Sequence, residues 1–180
     1  MQTLEKAQLK NLNMRSKYSD NPNKFMQSEL DLSDAIKAIK DVAVAPKLYE
    51  NLVQNNLPKI VSELLSHENT DIVIETINLL KELADPTTFF EKSPILDFLK
   101  ALSKRNVFNL VSDNLERLSE NNEDSEGLFD ALSIFESIME TDQRFFMETF
   151  IKSKLGKNRP EKHFVNFVIL AMEPNSSPFS

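Results

Sequence analysis

Two glycines, Gly127 and Gly156, are all that this chain of 180 residues contains. Phosphate-cradling loops of the P-loop or dinucleotide-binding type need several closely spaced glycines so that backbone amides can wrap the phosphate, and both are excluded. Cysteine is absent, which removes disulfides, zinc ribbons and thiol catalysis together. No run approaches the roughly twenty apolar residues that a membrane-spanning helix requires. The segment from Met1 to Lys10 is charged and lacks the apolar core of a signal peptide, so the chain is expected to be intracellular. Strand signals are as scarce as glycine: few β-branched alternations are bounded by turn residues, and the class read from this is all-α. The two histidines, His67 and His163, lie far apart and form no His-x-x-x-His pair, so no metal site is expected and each is read as a surface or loop residue.

What is present is enough apolar material, 41% of residues, for a sizeable core without covalent staples. The net charge of −7 argues against general nucleic-acid binding and leans weakly toward basic partners. The stretch Leu57 to Ala84 organises the rest. Leu57, Ile60, Val61, Leu64 and Leu65 recur at i, i+3, i+4, i+7 and i+8 behind Pro58, which suits a first helical turn. The segment His67-Glu68-Asn69 breaks the period, Thr70 is read as the N-cap, and a second helix runs to Ala84 before Asp85-Pro86. That helix carries two apolar stripes, Val73, Ile77, Leu80 and Ala84 beside Ile72, Leu79 and Leu83. Only the ridge of Asp71, Glu75, Asn78 and Glu82 is left polar, the pattern of a helix sandwiched between neighbours.

From the start of the chain, Leu4 to Ser16 reads as a polar, peripheral helix ended by the turn cluster Asp20-Asn21-Pro22-Asn23. Phe25, Met26 and Leu30 are expected to bury against a helix from Asp34 to Ala43 or against the first repeat. A short amphipathic helix with Leu48, Tyr49, Leu52 and Val53 follows Pro46. The triple between Pro46 and Ala84 has the size of one armadillo unit. A shift of fifty positions (57 to 107) lays Val107 on Leu57, Leu110 on Ile60, Val111 on Val61 and Leu115 on Leu65, and Phe98, Leu99 and Leu102 on Leu48, Tyr49 and Leu52. After an acidic loop from Leu118 to Gly127, the helix Leu128 to Met139 repeats the third element. An abbreviated third unit takes Phe145, Phe146, Phe150 and Ile151, then a last helix with Phe164, Phe167 and Leu170, whose uncovered face would favour either self-association or poor solubility. The organisation read is an N-terminal arm over residues 1–33, armadillo-type repeats over 34–172 and a disordered tail over 173–180. The fold expected is a right-handed armadillo/HEAT-like solenoid of about two to three repeats.

The stretch MRSKYSDNPNKFMQSELDL, Met14 to Leu32, is of mixed polarity and owes nothing to helical periodicity. It resembles the N-terminal region of the beta-catenin-like protein 1 family, nuclear armadillo-repeat proteins associated with the spliceosome. The similarity continues through LYENLVQNNL, LLSHENTDIVIETINLLKELAD and VSDNLERL, covers roughly Leu9 to Met139, and corresponds to the first third of family members. The resemblance implies a nuclear, non-enzymatic scaffold in pre-mRNA splicing without cofactors. Its partners would be splicing-complex proteins offering basic or nuclear-localisation-type segments.

The surface expected to receive such segments is the polar ridge of the third helices: Asp71, Glu75, Asn78 and Glu82, continued in the next unit by Glu126, Asp130, Ser133 and Ser137. Importin-like armadillo proteins place a Trp and an Asn there; this chain has Asn78 and Glu82, so a basic segment would be held mainly by charge. An ordinary solvated face is the competing reading, as each exposed ion pair is worth roughly 0–1 kcal/mol. Two other functions fit the residues: a general cytoplasmic armadillo adaptor, and an RNA-contacting protein using Lys152, Lys154, Lys157, Arg159 and Lys162. Direct nucleic-acid contact is the weaker of these, since no aromatics interleave the basic residues.

Overall fold

The computed structural model describes residues 1–43, 45–88, 93–119 and 125–152. Its helices are α1 (Gln2–Lys17), α2 (Met26–Lys40), α3 (Tyr49–Gln54), α4 (Leu57–Leu64), α5 (Thr70–Ala84), α6 (Ser93–Lys104), α7 (Val107–Ser119), α8 (Ser125–Thr141) and α9 (Gln143–Lys152). No strand occurs among the described residues. The chain is an all-α armadillo-type stack, with α3–α4–α5 as one unit, α6–α7–α8 as the next and α9 packed on α8.

The fifty-residue repeat is visible in the backbone. Asn56 and Asn106, each just before the second helix of its unit, adopt left-handed conformations with φ of 59° and 61°. Asparagine tolerates that region better than most residues, and here it turns the chain sharply from one helix into the next. Tyr49 and Phe98 meet edge to face across the units, ring centroids 5.3 Å apart. The Tyr49 hydroxyl donates to Leu83 O at 2.9 Å, satisfying a carbonyl in the last turn of α5. Burial pushes the phenol's pKa up, with Asp85 adding to the shift.

Both apolar stripes of α5 are buried, from Ile72 and Val73 through Leu83 and Ala84, as its two-sided pattern requires. Its neighbours are α2 on one side and α8 on the other. Along both pairs the contacts advance together. Glu29 meets Asn69, and Lys37 and Lys40 meet Glu75; Gly127 faces Ile74, and Asp130 meets Asn78 and Lys81. The helices α2, α5 and α8 therefore form a parallel ladder. Gly127 matters to its spacing, because a Cβ there would lie 3.0 Å from Ile74 Cγ1.

Several boundaries differ from the sequence reading. The N-terminal helix is not peripheral: Leu4, Ala7 and Asn11 are buried. Helix α2 begins at Met26 rather than Asp34, and it crosses the expected 33/34 boundary without a break. Partners on α1 account for the early start, since Asn11 donates to Ser28, Lys10 pairs with Asp31 and Arg15 pairs with Glu29. In consequence Phe25 is buried, whereas Met26 and Leu30 are exposed. The cap of α5 is Asn69, whose side chain accepts from Asp71 N, and Thr70 is the first helical residue. Leu118 is buried within α7 and Gly127 lies inside α8, so the acidic interruption is shorter than Leu118 to Gly127. Phe164, Phe167, Leu170, His163, the basic residues from Lys154 to Lys162 and the tail at 173–180 lie outside the described residues, as do the side chains of Phe150, Ile151 and Lys152.

Candidate docking groove

The ladder decides what each ridge residue can do. Glu75 faces α2, where it pairs with Lys37 at 3.5 Å and Lys40 at 3.3 Å. Asp130 was expected on an open ridge, yet it is buried between α8 and α5. It accepts from Asn78 Nδ2 and Lys81 Nζ, both at 2.6 Å. The Lys81 amine is held above its ordinary pKa, chiefly by that hydrogen bond to Asp130. Glu75, Asn78 and Asp130 thus hold helices together in this structure. Asp71 and Glu126 are exposed near the starts of α5 and α8.

Glu82, Ser133 and Ser137 are brought together. They line a groove of about 300 Å³ between the C-terminal halves of α5 and α8, with Lys81, Asp85, Pro86, Glu136 and Glu140. Four of its eight lining residues are carboxylates, so its electrostatic character is acidic despite Lys81. The ridge reading missed Asp85, Glu136 and Glu140. The signal was available for two of them, because Glu136 and Glu140 lie three residues after Ser133 and Ser137 on the same helix. Phe129 was also missed. It is 68% exposed on α8, one turn before Ser133, and shares a helix face with Ser133, Glu136 and Glu140.

A second polar cluster lies beneath α1. His67 Nδ1 accepts from Asn69 N at 3.0 Å, so Nε2 carries the proton that is donated to Asn11 Oδ1 at 3.0 Å. Asn11 donates onward to Ser28, whose hydroxyl donates to Phe25 O. This is a loop histidine, as expected, and one built to be neutral. Burial first, then the nearby Arg15 charge, hold its pKa below the usual value of 6.5, with Glu29 and Glu68 opposing. Protonating Nδ1 would set an N–H against the Asn69 amide. A depressed folded pKa means that stability is full above about 6.5 and is lost as pH falls from there through the folded value. Melting temperature should accordingly drop below pH 6.5 in the wild type. The drop should be smaller in His67→Asn, which keeps an acceptor for Asn69 N and does not titrate; identical profiles would show that the ring is not the titrating group.

Among the described residues no group of three or more His, Asp or Glu side chains is arranged to hold a metal ion, and no helix is long and apolar enough to cross a membrane. Fold and groove together define the class: an armadillo-type helical scaffold whose repeat ladder carries an acidic channel. The sequence matches, over residues 1–157, the family model described as "Catenin-beta-like, Arm-motif containing nuclear", and the chain belongs to that family. It is 42% identical over 140 residues to Beta-catenin-like protein 1 of Homo sapiens, a match covering 77% of this chain and 25% of that protein. The Bos taurus protein is 41% identical over the same coverage. The Beta-catenin-like protein 1 homolog of Schizosaccharomyces pombe is 31% identical over 140 residues, 77% of this chain and 24% of the relative. The chain thus spans about a quarter of the length of these curated relatives.

Proposed function

We propose that this chain is a non-enzymatic scaffold that docks Lys/Arg-rich segments of partner proteins in the channel between α5 and α8, and that these partners belong to nuclear pre-mRNA splicing complexes. The observation that carries the docking reading is the convergence of Glu82, Asp85, Glu136 and Glu140 on one groove. A basic segment lying there would place ammonium or guanidinium groups within reach of several carboxylates at once. Phe129, exposed on the same face, offers a ring over which an arginine could stack. The splicing and nuclear assignments rest on the family resemblance, whose description includes the word nuclear.

The binding set read from sequence is therefore narrowed. Glu82, Ser133 and Ser137 stay in the proposed contact set, Asp71 and Glu126 extend it along the exposed ridge, and Glu75, Asn78 and Asp130 support it from behind. The test is fluorescence anisotropy of a labelled Lys/Arg-rich nuclear-localisation-type peptide with the full chain, at low salt. Glu82→Lys with Glu136→Lys should weaken binding about tenfold, equivalent to roughly 1.4 kcal/mol. Affinity indifferent to both reversals would sink the groove assignment. Tighter, steeply salt-dependent binding of bare RNA would favour the RNA-contacting reading instead.

A further inference from the structure

A second surface groove lies between α1 and α4. It is a groove of about 620 Å³ lying over Phe25, Leu32 and Leu64, which are themselves buried. Leu9 and Leu12, three residues apart on α1, form its lip and are 59% and 64% exposed. Single exposed leucines are common on protein surfaces, but this pair stands together at the edge of a groove and supplies its accessible apolar surface. On α1 the lining runs from Glu5 to Ser16, about 16 Å at 1.5 Å per residue. That is the length of three helical turns, which suits an elongated occupant better than a compact one.

Charge selects among elongated occupants. Glu5, Glu63 and Glu68 line the groove, against one cation, Arg15. The Arg15 guanidinium is already engaged, paired with Glu29 and Glu68 and lying 4.7 Å from the centre of the Phe25 ring. Glu63 accepts from Gln8 at 2.8 Å and, among the described residues, has the exposed Lys59 at 3.7 Å as its one nearby cation. The excess of carboxylates opposes anionic lipid headgroups and acidic helices. We propose that this groove docks an amphipathic helix of a partner protein, one that presents leucine-type side chains to the Leu9–Leu12 lip and sets Lys or Arg against Glu5 and Glu63. This surface is separate from the channel between α5 and α8 and does not depend on it.

The probe is a fluorescein-labelled Leu/Lys amphipathic helix of about sixteen residues, titrated with the full chain and read by anisotropy. Two control peptides accompany it, a scrambled order of the same composition and the same pattern with Glu in place of Lys. Leu9→Asp with Leu12→Asp should weaken binding about tenfold by removing the apolar lip. The melting temperature should stay unchanged, since both side chains are exposed. Glu5→Lys with Glu63→Lys should weaken binding severalfold and make it less sensitive to salt. Glu82→Lys with Glu136→Lys should leave it unaltered, which separates this site from the acidic channel. The proposal is overturned if the leucine variant binds as well as the wild type, if the scrambled or the Leu/Glu peptide binds equally, or if the charge reversal has no effect. Sedimentation showing a wild-type dimer that the leucine variant dissociates would assign the groove to a second copy of the chain and would likewise overturn it.

Discussion

Replacing Tyr49 by alanine should cost about 3–5 kcal/mol, the usual loss for truncating a fully buried aromatic. For a chain of this size that lowers the melting temperature by on the order of 10 °C. Tyr49 is 1% exposed and stands edge-on to Phe98 of the following unit. Its hydroxyl donates to Leu83 O at 2.9 Å and lies 3.3 Å from Ala43 O. Truncation therefore opens a cavity between units and leaves a carbonyl near the end of α5 without its donor. Tyr49→Phe separates the two contributions: it keeps the ring contact and should cost only about 1–2 kcal/mol, the hydrogen-bond share. Denaturant melts of both variants check the ordering, and equal losses would mean that packing against Phe98 contributes little.

The second large effect is expected at the bridge between α5 and α8. Asp130 has a side chain only 6% exposed and takes its compensation from Lys81 and Asn78. Lys81→Met would leave a buried carboxylate with one neutral donor, a change that should cost about 2–3 kcal/mol. That figure lies below the usual loss for breaking a fully buried pair, because Lys81 is itself 39% exposed and partly screened. Asp130→Asn in the Lys81→Met background should recover part of the loss by removing the charge. Urea melts of the single and double variants provide the measurement. If the double variant is no more stable than Lys81→Met alone, the carboxylate charge is not the source of the penalty.

Asp130 also shows why part of the site could not be read from the chain. Its spacing from Glu126, Ser133 and Ser137 correctly puts it on one helix. The partner that draws it inward, Lys81, is some fifty positions away, and nothing in local periodicity announces a cross-helix ion pair. The same limit explains α1, where an asparagine, Asn11, is buried because Ser28 and His67 satisfy it. Polar burial of that kind is invisible without the partners. At the α5 cap, Asn69 and Thr70 are both good cap residues, and the choice fell to Asn69, whose amide also donates to Glu29 on α2. By contrast α4, α5 and the fifty-residue repeat were legible, because a helix buried on two sides must show both stripes in its own sequence. The left-handed Asn56 and Asn106 confirm that register in the backbone.

The short link between α4 and α5 has a further consequence. Arg117, on the second helix of the next unit, donates to His67 O, Glu68 O and Thr70 Oγ1. Asn114, one turn earlier, donates to Leu65 O, and Arg15 reaches Glu68 from the opposite side. Side chains from two distant parts of the chain thus converge on Leu65, His67, Glu68 and Thr70, the stretch that leads into α5. In many repeat proteins the coupling between neighbours is spread over a broad apolar interface, so end units can fray while the middle stays folded. Here a share of it is concentrated in directional contacts at one point. If α7 detaches, the start of α5 loses its fastening, and if α1 detaches, the same link loosens from the other side. The N-terminal helix and the second unit are therefore joined through one link although they are far apart in sequence, and native-state hydrogen exchange should show the region from α1 to α8 opening as one cooperative block rather than unit by unit.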